Sequence, residues 1–205
     1  MAKPNAAIVV AAGRGERLGA GLPKQYRDLG GRAVLAHSLQ AFGDHPAVEL
    51  VVAVINPQDK TQYEQAAAQV SASSRSKILA PVSGGSTRQA SVLAGLESFA
   101  SLSPGKVLIH DAARPFVSQL CISRVLDAVG ERAGALPGLA VADTLKRVDD
   151  AGEVADTVSR ERLYAAQTPQ GFRFEDILAA HRAALTAGRT PLTDDAAVAE
   201  LAGIK

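Results

Sequence analysis

Apolar residues along this chain gather in short unbroken runs rather than in strict alternation with polar ones. Ala6–Ala12 ("AAIVVAA"), Leu50–Ile55 ("LVVAVI") and Lys106–Ala112 ("KVLIHDA") therefore read as central strands covered on both faces. Gly134–Val141 ("GALPGLAV") predicts a further strand of the same kind, weakened by Pro137, which has no N–H for a ladder. Between these runs the apolar period lengthens to that of a helix, over 33–43, 57–69, 86–100 and 118–132. Strand and helix thus alternate, which predicts right-handed crossovers and an α/β fold with a doubly wound, mostly parallel sheet. Ligands of such sheets bind at the carboxyl ends of the strands. The loop after Val10, the stretch around Gly84–Ser86 and the segment after His110 are expected to converge there.

After Val141 polar and apolar residues alternate on either side of the turn-forming "DDAG" at Asp149–Gly152. This predicts a projecting β-hairpin arm over about residues 142–165. Segment 174–188 reads as a helix stopped by Gly188, and 193–203 as another with Thr193 or Asp194 as its N-cap. No linker, repeat or low-complexity stretch interrupts the pattern, so a single domain over 1–205 is expected.

Composition narrows the partners. With 22 basic and 21 acidic residues the net charge is +1, which gives no global field to gather nucleic acid or an anionic membrane. An anion site must then be local. The single cysteine, Cys121, has no internal disulfide partner and reads as a small core residue in a cytoplasmic protein. No apolar run approaches the roughly 20 residues of a membrane span. The run after Lys3 leads directly into the charged "GRGER", unlike a signal peptide.

The loop "AAGRGERLGAGLPKQY", Ala11 to Tyr26, holds four glycines and three cations. It is not a dinucleotide fingerprint, because Leu18 stands where the third glycine belongs, and not a P-loop, because Lys24 follows Pro23 and Gln25 replaces Ser or Thr. Glycines such as Gly13 and Gly15 let backbone N–H groups approach an anion, and Arg14, Arg17 and Lys24 outnumber Glu16. A polyphosphate matches that supply; a solvated turn is the alternative.

Two other stretches carry chemistry. In "SGGSTRQASVLAGL", Gly84 and Gly85 precede a helix whose free N–H groups favour electronegative ligand atoms, although Ser86 or Thr87 would also serve as a plain cap. Ser91, one turn on, faces a base or the core. In "HDAARPF", Asp111 stands at a strand's carboxyl edge, fit to hold magnesium or orient a nucleotide, and Arg114 is fit to hold phosphate, unless the two simply pair with each other. His110 reads as packed and hydrogen-bonded rather than catalytic. Thr144, Lys146, Arg160 and Thr168 supply donors for a small phosphorylated substrate, or are ordinary solvated residues.

"AAGRGERLGAGLPKQY", "GGSTRQASVLAGL", "HDAARPF", "ADTLKR" and "AAQTPQGF" occur in the order and approximate spacing that resembles the 2-C-methyl-D-erythritol 4-phosphate cytidylyltransferases of the non-mevalonate isoprenoid pathway, over nearly the whole chain. The resemblance implies a Rossmann-like nucleotidyltransferase fold and transfer of a cytidylyl group from CTP to methylerythritol phosphate with Mg²⁺. It implies that Ala11, Ala12, Gly13, Arg17 and Lys24, with Arg14 and Gly15 beside them, hold the CTP phosphates, and that Gly85 and Ser91 recognise cytosine. Asp111 falls at the ribose and metal, and Arg114, Thr144, Arg160 and Thr168 at the methylerythritol phosphate, with Lys146 on the same arm. Arg17, Lys24 and Arg160 would carry the catalytic charge. The arm would reach across a homodimer, so that Arg114 and Thr144 serve the neighbour's site. Family members continue to a strand and an N-x-K-x-T-x-P-E-D segment with a further lysine at the α-phosphate, and some are fused to the next cyclising synthase. This sequence runs to "AGIK", and Lys205 comes too early to be that lysine.

The alternatives are a cytidylyltransferase for another polyol phosphate, such as ribitol 5-phosphate, and a nucleotide-binding module without turnover. A sugar transferase normally needs an acidic metal motif after its middle strand, and "HDAAR" supplies one carboxylate.

Overall fold

The computed structural model describes residues 3–14, 21–189 and 192–205. Its elements in chain order are β1 (Asn5–Ala11), the short β2 (Asp28–Leu29) and β3 (Arg32–Ala33), α1 (Val34–Asp44), β4 (Leu50–Ile55), α2 (Lys60–Ala68), α3 (Ala72–Arg75), β5 (Val82–Ser83), α4 (Arg88–Ser98) and β6 (Lys106–Asp111). There follow α5 (Gln119–Ala128), β7 (Gly138–Ala140), β8 (Leu145–Val148), β9 (Val154–Val158), β10 (Tyr164–Ala166), β11 (Gln170–Arg173), α6 (Phe174–Thr186) and α7 (Asp195–Leu201).

Five strands form the main sheet in the order β11-β6-β1-β4-β5. β6, β1, β4 and β5 run parallel, and β11 is antiparallel to β6. The unbroken apolar runs are explained by burial on both sides. Val9 and Ala53 join α1, α2 and α5 residues such as Leu39, Tyr63 and Ile122 on one face. Ile8 and Val54 join α4, α6 and α7 residues such as Leu96, Ile177 and Val198 on the other. Gly95 sets the spacing of α4, since a Cβ there would lie 2.8 Å from Ile8 Cγ2 and 2.9 Å from Val54 Cγ2.

From β1 the chain moves outward to β4 and β5, then returns to the other side of β1 as β6. The two crossovers leave in opposite directions, so a crevice opens between the carboxyl ends of β1 and β6.

Two sequence expectations are corrected. Gly134–Val141 is not a central strand: only Gly138–Ala140 is extended, fully exposed, in a separate two-stranded ladder with β10. Pro137 cannot donate within a sheet, and β11 takes the place beside β6. Cys121 is half-buried rather than core, because the helical period of α5 turns Ile122, Val125 and Leu126 inward instead. The arm is as expected. β8 and β9 pair around Asp149–Gly152, where Asp149 Oδ1 accepts from the N–H groups of Ala151 and Glu153, and Gly152 takes φ +82°. Asp194, not Thr193, caps α7 by accepting from Ala197 N. No helix among the described residues is long and apolar enough to cross a membrane.

Candidate active-site cleft

A cleft of about 820 Å³ opens at the carboxyl ends of β1 and β6, where the topology requires one. Ala11, Ala12, Gly13 and Arg14 form one wall with Lys24; Gly85 and Ser91 form the second; Asp111 and Arg114 form the third. Gly15 and Arg17 lie outside the described residues.

The first wall is braced from beneath. Gln25, buried at 2% exposure, donates through Nε2 to Ala11 O at 2.7 Å and to Gly13 O at 3.0 Å. One carbonyl ends β1 and the other lies in the loop beyond it, and Gln25 donates to both without adding charge. A 3-10 turn over Lys24–Tyr26 places Lys24 on the exposed cleft side and Gln25 on the buried side. Arg14 is exposed and donates to Gln58 Oε1.

At the second wall Gly84 N donates to Ile55 O, which keeps the turn against β4. A Cβ at Gly84 would lie 2.4 Å from Ala12 Cβ, so the two walls meet only because this residue has no side chain. Thr87 caps α4 by accepting from Ala90 N. Ser91 is 2% exposed; its Oγ accepts from Gly85 N at 3.1 Å and donates to Thr87 O at 2.9 Å. Ser91 therefore fixes the glycine turn while bordering the cleft.

The third wall has a hydrogen-bond network whose direction is determined. Arg114 O can only accept, so His110 Nε2, 3.0 Å away, carries the proton. His110 Nδ1 then accepts from Thr168 Oγ1 at 3.0 Å, and that oxygen in turn accepts from Asp111 N at 3.3 Å. His110 is fully buried, and burial pushes its pKa down to about 4. Packed and hydrogen-bonded, it ties Thr168 behind Asp111.

The Asp111 carboxylate sits between two guanidinium groups. Arg88 Nε lies 3.2 Å from Oδ1, and Arg114 Nε lies 3.3 Å from Oδ2. Arg114 also donates to Gln167. Arg88 reaches further, with Nη2 2.8 Å from Oδ2 of Asp195, a residue of α7 only 1% exposed. Burial alone would lower the Arg88 pKa, but Asp195 and then Asp111 outweigh it and hold it above its ordinary value. Burial likewise pushes Asp195 up, while the neighbouring His181 and Arg88 hold its carboxyl below the usual range. Arg88 was not singled out in the sequence. Its spacing three residues before Ser91, on one helical face behind a glycine pair, was the signal available.

Around the cleft, then, Arg14, Lys24, Arg88 and Arg114 surround one carboxylate among the described residues. That balance suits a polyphosphate. No group of three or more His, Cys, Asp or Glu able to cage a metal occurs among the described residues. Mg²⁺ commonly takes one or two protein carboxylates and completes its shell with phosphate oxygens and water, and the partly exposed Asp111 fits that mode.

The arm residues do not join this cleft. Thr144, Lys146 and Arg160 are exposed; Lys146 Nζ donates to Thr157 Oγ1 at 2.6 Å within the hairpin, and Arg160 donates to Ala142 O. Arg114, by contrast, lines the chain's own cleft.

Comparison with known proteins gives one consistent result. Residues 5–205 match the family model described as IspD, 2-C-methyl-D-erythritol 4-phosphate cytidylyltransferase. A bifunctional enzyme IspD/IspF of Paramagnetospirillum magneticum is 55% identical over 197 residues, covering 96% of this chain and 49% of the relative. A bifunctional enzyme IspD/IspF of Nitrobacter winogradskyi is 52% identical over 202 residues, covering 98% and 49%. The chain thus spans about half the length of these curated relatives. Among solved structures, the 4-diphosphocytidyl-2C-methyl-D-erythritol synthase of Anaerococcus prevotii superposes with a TM-score of 0.81 at 28% identity, covering 97% of this chain and 82% of that one.

Proposed function

Since the chain belongs to the 2-C-methyl-D-erythritol 4-phosphate cytidylyltransferase family, we propose that it transfers the cytidylyl group of CTP to 2-C-methyl-D-erythritol 4-phosphate. The products are 4-diphosphocytidyl-2-C-methyl-D-erythritol and pyrophosphate. The observation that carries this reading is the cleft at the β1/β6 switch point, where four cations face one carboxylate.

An oxygen of the sugar phosphate attacks the α-phosphorus of CTP; the bond from that phosphorus to the bridging oxygen breaks, and pyrophosphate leaves with the electron pair. A phosphate monoester has a second pKa near ~6, so the nucleophile is already anionic at neutral pH and needs no base. What remains is to bring two anions together and to stabilise charge at the α-phosphate. Lys24 and Arg14 stand on the wall from which backbone and side-chain donors reach the triphosphate, with Arg17 assigned to the same loop by family resemblance. Gly85 and Ser91 present the helix-α4 end of the cleft to the base. Asp111 would hold Mg²⁺, which supplies further neutralisation of the phosphates when bound.

The arm supports a homodimer with shared sites. In β8 and β9 all residues but Leu145 and Val158 are exposed, including the apolar Val148 and Val154, and Thr144 and Arg160 lie apart from their own cleft. A monomer in sedimentation at working concentration would remove the basis for sharing. Because its charged substrates do not cross membranes unaided, the enzyme works where they are made, in the cytoplasm.

The test is pyrophosphate release from each of CTP, UTP, ATP and GTP with methylerythritol phosphate or ribitol 5-phosphate. CTP with methylerythritol phosphate should lead. Preference for ribitol 5-phosphate overturns the acceptor, preference for a purine nucleotide overturns the base, and CTP binding without release identifies a module that does not turn over.

A further inference from the structure

Asp195 belongs to the first turn of α7, yet its side chain is almost wholly withdrawn from water. Oδ2 accepts from Arg88 Nη2 at 2.8 Å, Oδ1 lies 3.3 Å from His181 Nε2, and its backbone N donates to Gln170 Oε1 at 3.0 Å. The same guanidinium directs Nε at Asp111 Oδ1, 3.2 Å away in the cleft. A guanidinium is a rigid planar fork, so fixing one nitrogen and one further contact fixes its plane.

We propose that Asp195 is a positioning residue of the cleft: it holds Arg88 so that Arg88 and Arg114 each take one oxygen of Asp111, leaving the remaining lone pairs of that carboxylate for the nucleotide and its metal. This inference rests on the cytidylyltransferase reading of the cleft. Its physical reason is competition. An arginine with a single carboxylate partner tends to engage both of its oxygens side by side. Released from Asp195, Arg88 can turn onto Asp111 in that manner and occupy the lone pairs that a ligand needs. α7, which borders no part of the cleft, is thereby coupled to it through one side chain.

The test is calorimetric titration of CTP in the presence of Mg²⁺ into the unaltered protein and three variants, with melting temperatures recorded in parallel. Asp195→Asn keeps the shape and removes the charge; it should raise the Kd for CTP with Mg²⁺ by about tenfold, the lower end of what loss of an outer-shell partner costs. Asp194→Ala deletes the α7 cap to Ala197 and the bond that Asp194 accepts from Gln170, but Asp194 touches neither Arg88 nor Asp111. It should lower the melting temperature and leave Kd within about twofold, well inside the scale expected for a lost partner. Arg88→Lys keeps a cation beside Asp195 but lacks the fork that reaches both carboxylates, so Arg114 alone is left to take both oxygens of Asp111 and CTP should weaken as in Asp195→Asn; it carries the test if Asp195→Asn does not fold. Equal losses of affinity in Asp194→Ala and Asp195→Asn would mean general loosening of α7 and overturn the proposal. So would an unchanged Kd in Asp195→Asn or Arg88→Lys. Failure of the unaltered protein to bind CTP would instead sink the cytidylyltransferase reading, and this inference with it.

Discussion

Gln25→Met is the most direct probe of how the first wall of the cleft is held. Methionine nearly matches the volume of glutamine, so the packing around this buried position survives while both donated hydrogen bonds vanish. Ala11 O, in the buried bond of 2.7 Å, loses its side-chain donor where water has poor access, at a cost of about 1–3 kcal/mol. Gly13 O, in the part-buried bond of 3.0 Å, can turn to water, and its loss should cost about 0.5–1.5 kcal/mol. Together these predict a loss of about 1.5–4.5 kcal/mol in unfolding free energy by urea titration. In a melt, each kcal/mol would appear as about 2–4 °C for a chain of this size. The same two carbonyls orient the backbone that faces the cleft, so the added stability conferred by CTP should shrink as well, through weaker binding to the native state. Unfolding free energy within about 0.5 kcal/mol of the unaltered protein, with the CTP-induced shift intact, would refute the brace, since surface substitutions lie in that range.

Two further outcomes follow from the site. Lys24→Ala should lower kcat by roughly 10²–10³-fold, the scale for losing a preorganised charge-stabilising donor, and a change confined to KM would make its role uniform binding instead. Burial pushes the His110 pKa from its ordinary 6.5 down to about 4, so between those values the unfolded chain takes up a proton that the native state refuses. Stability should therefore fall as pH drops from 6.5 towards 4, by up to about 1.4 kcal/mol per pH unit from this group. His45, whose pKa burial also lowers, adds in the same direction. His110→Gln retains a donor and an acceptor and should flatten the difference between urea titrations at pH 7 and pH 5; an undiminished difference would assign the acid sensitivity elsewhere.

The parallel strands were legible because each is buried on both faces and so carries an unbroken apolar run, as in Leu50–Ile55. β11 was not, because its burial is not matched by hydrophobicity. Gln170, 1% exposed, uses Oε1 to accept from Asp195 N and Ala196 N and Nε2 to donate to Asp194 Oδ2. Gly171 lies where a Cβ would meet Val125 at 2.7 Å. A polar residue buried to serve a helix terminus and a glycine buried for clearance leave no periodic trace. The same reasoning applies to the cleft. The glycine loop and Asp111 announce themselves by composition and by position after a strand. Arg88 depends on a carboxylate 107 residues away in sequence, which no local pattern displays.

In the proposed reaction the cleft works by charge, and His110 is placed to hold the wall rather than to transfer protons. Two unit anions 4 Å apart repel by about 4 kcal/mol at an effective dielectric of 20, so if a sugar phosphate is brought to a triphosphate as proposed, this repulsion is the main obstacle that the cations must offset. A base would have little to do, since the attacking phosphate is largely deprotonated at neutral pH. The histidine nearest Asp111 is committed on both nitrogens, donating to Arg114 O and accepting from Thr168, and is shielded from solvent. Its neutral form holds the backbone of Asp111 and Arg114 at a fixed separation. Protonation would place a second N–H against Thr168 Oγ1 and oblige that hydroxyl to give up donating to the ring. Loss of turnover in acid would then have two sources, protonation of the attacking phosphate and loosening of the Asp111 wall. Only the second should change in His110→Gln, and neither requires a histidine that exchanges protons with substrate.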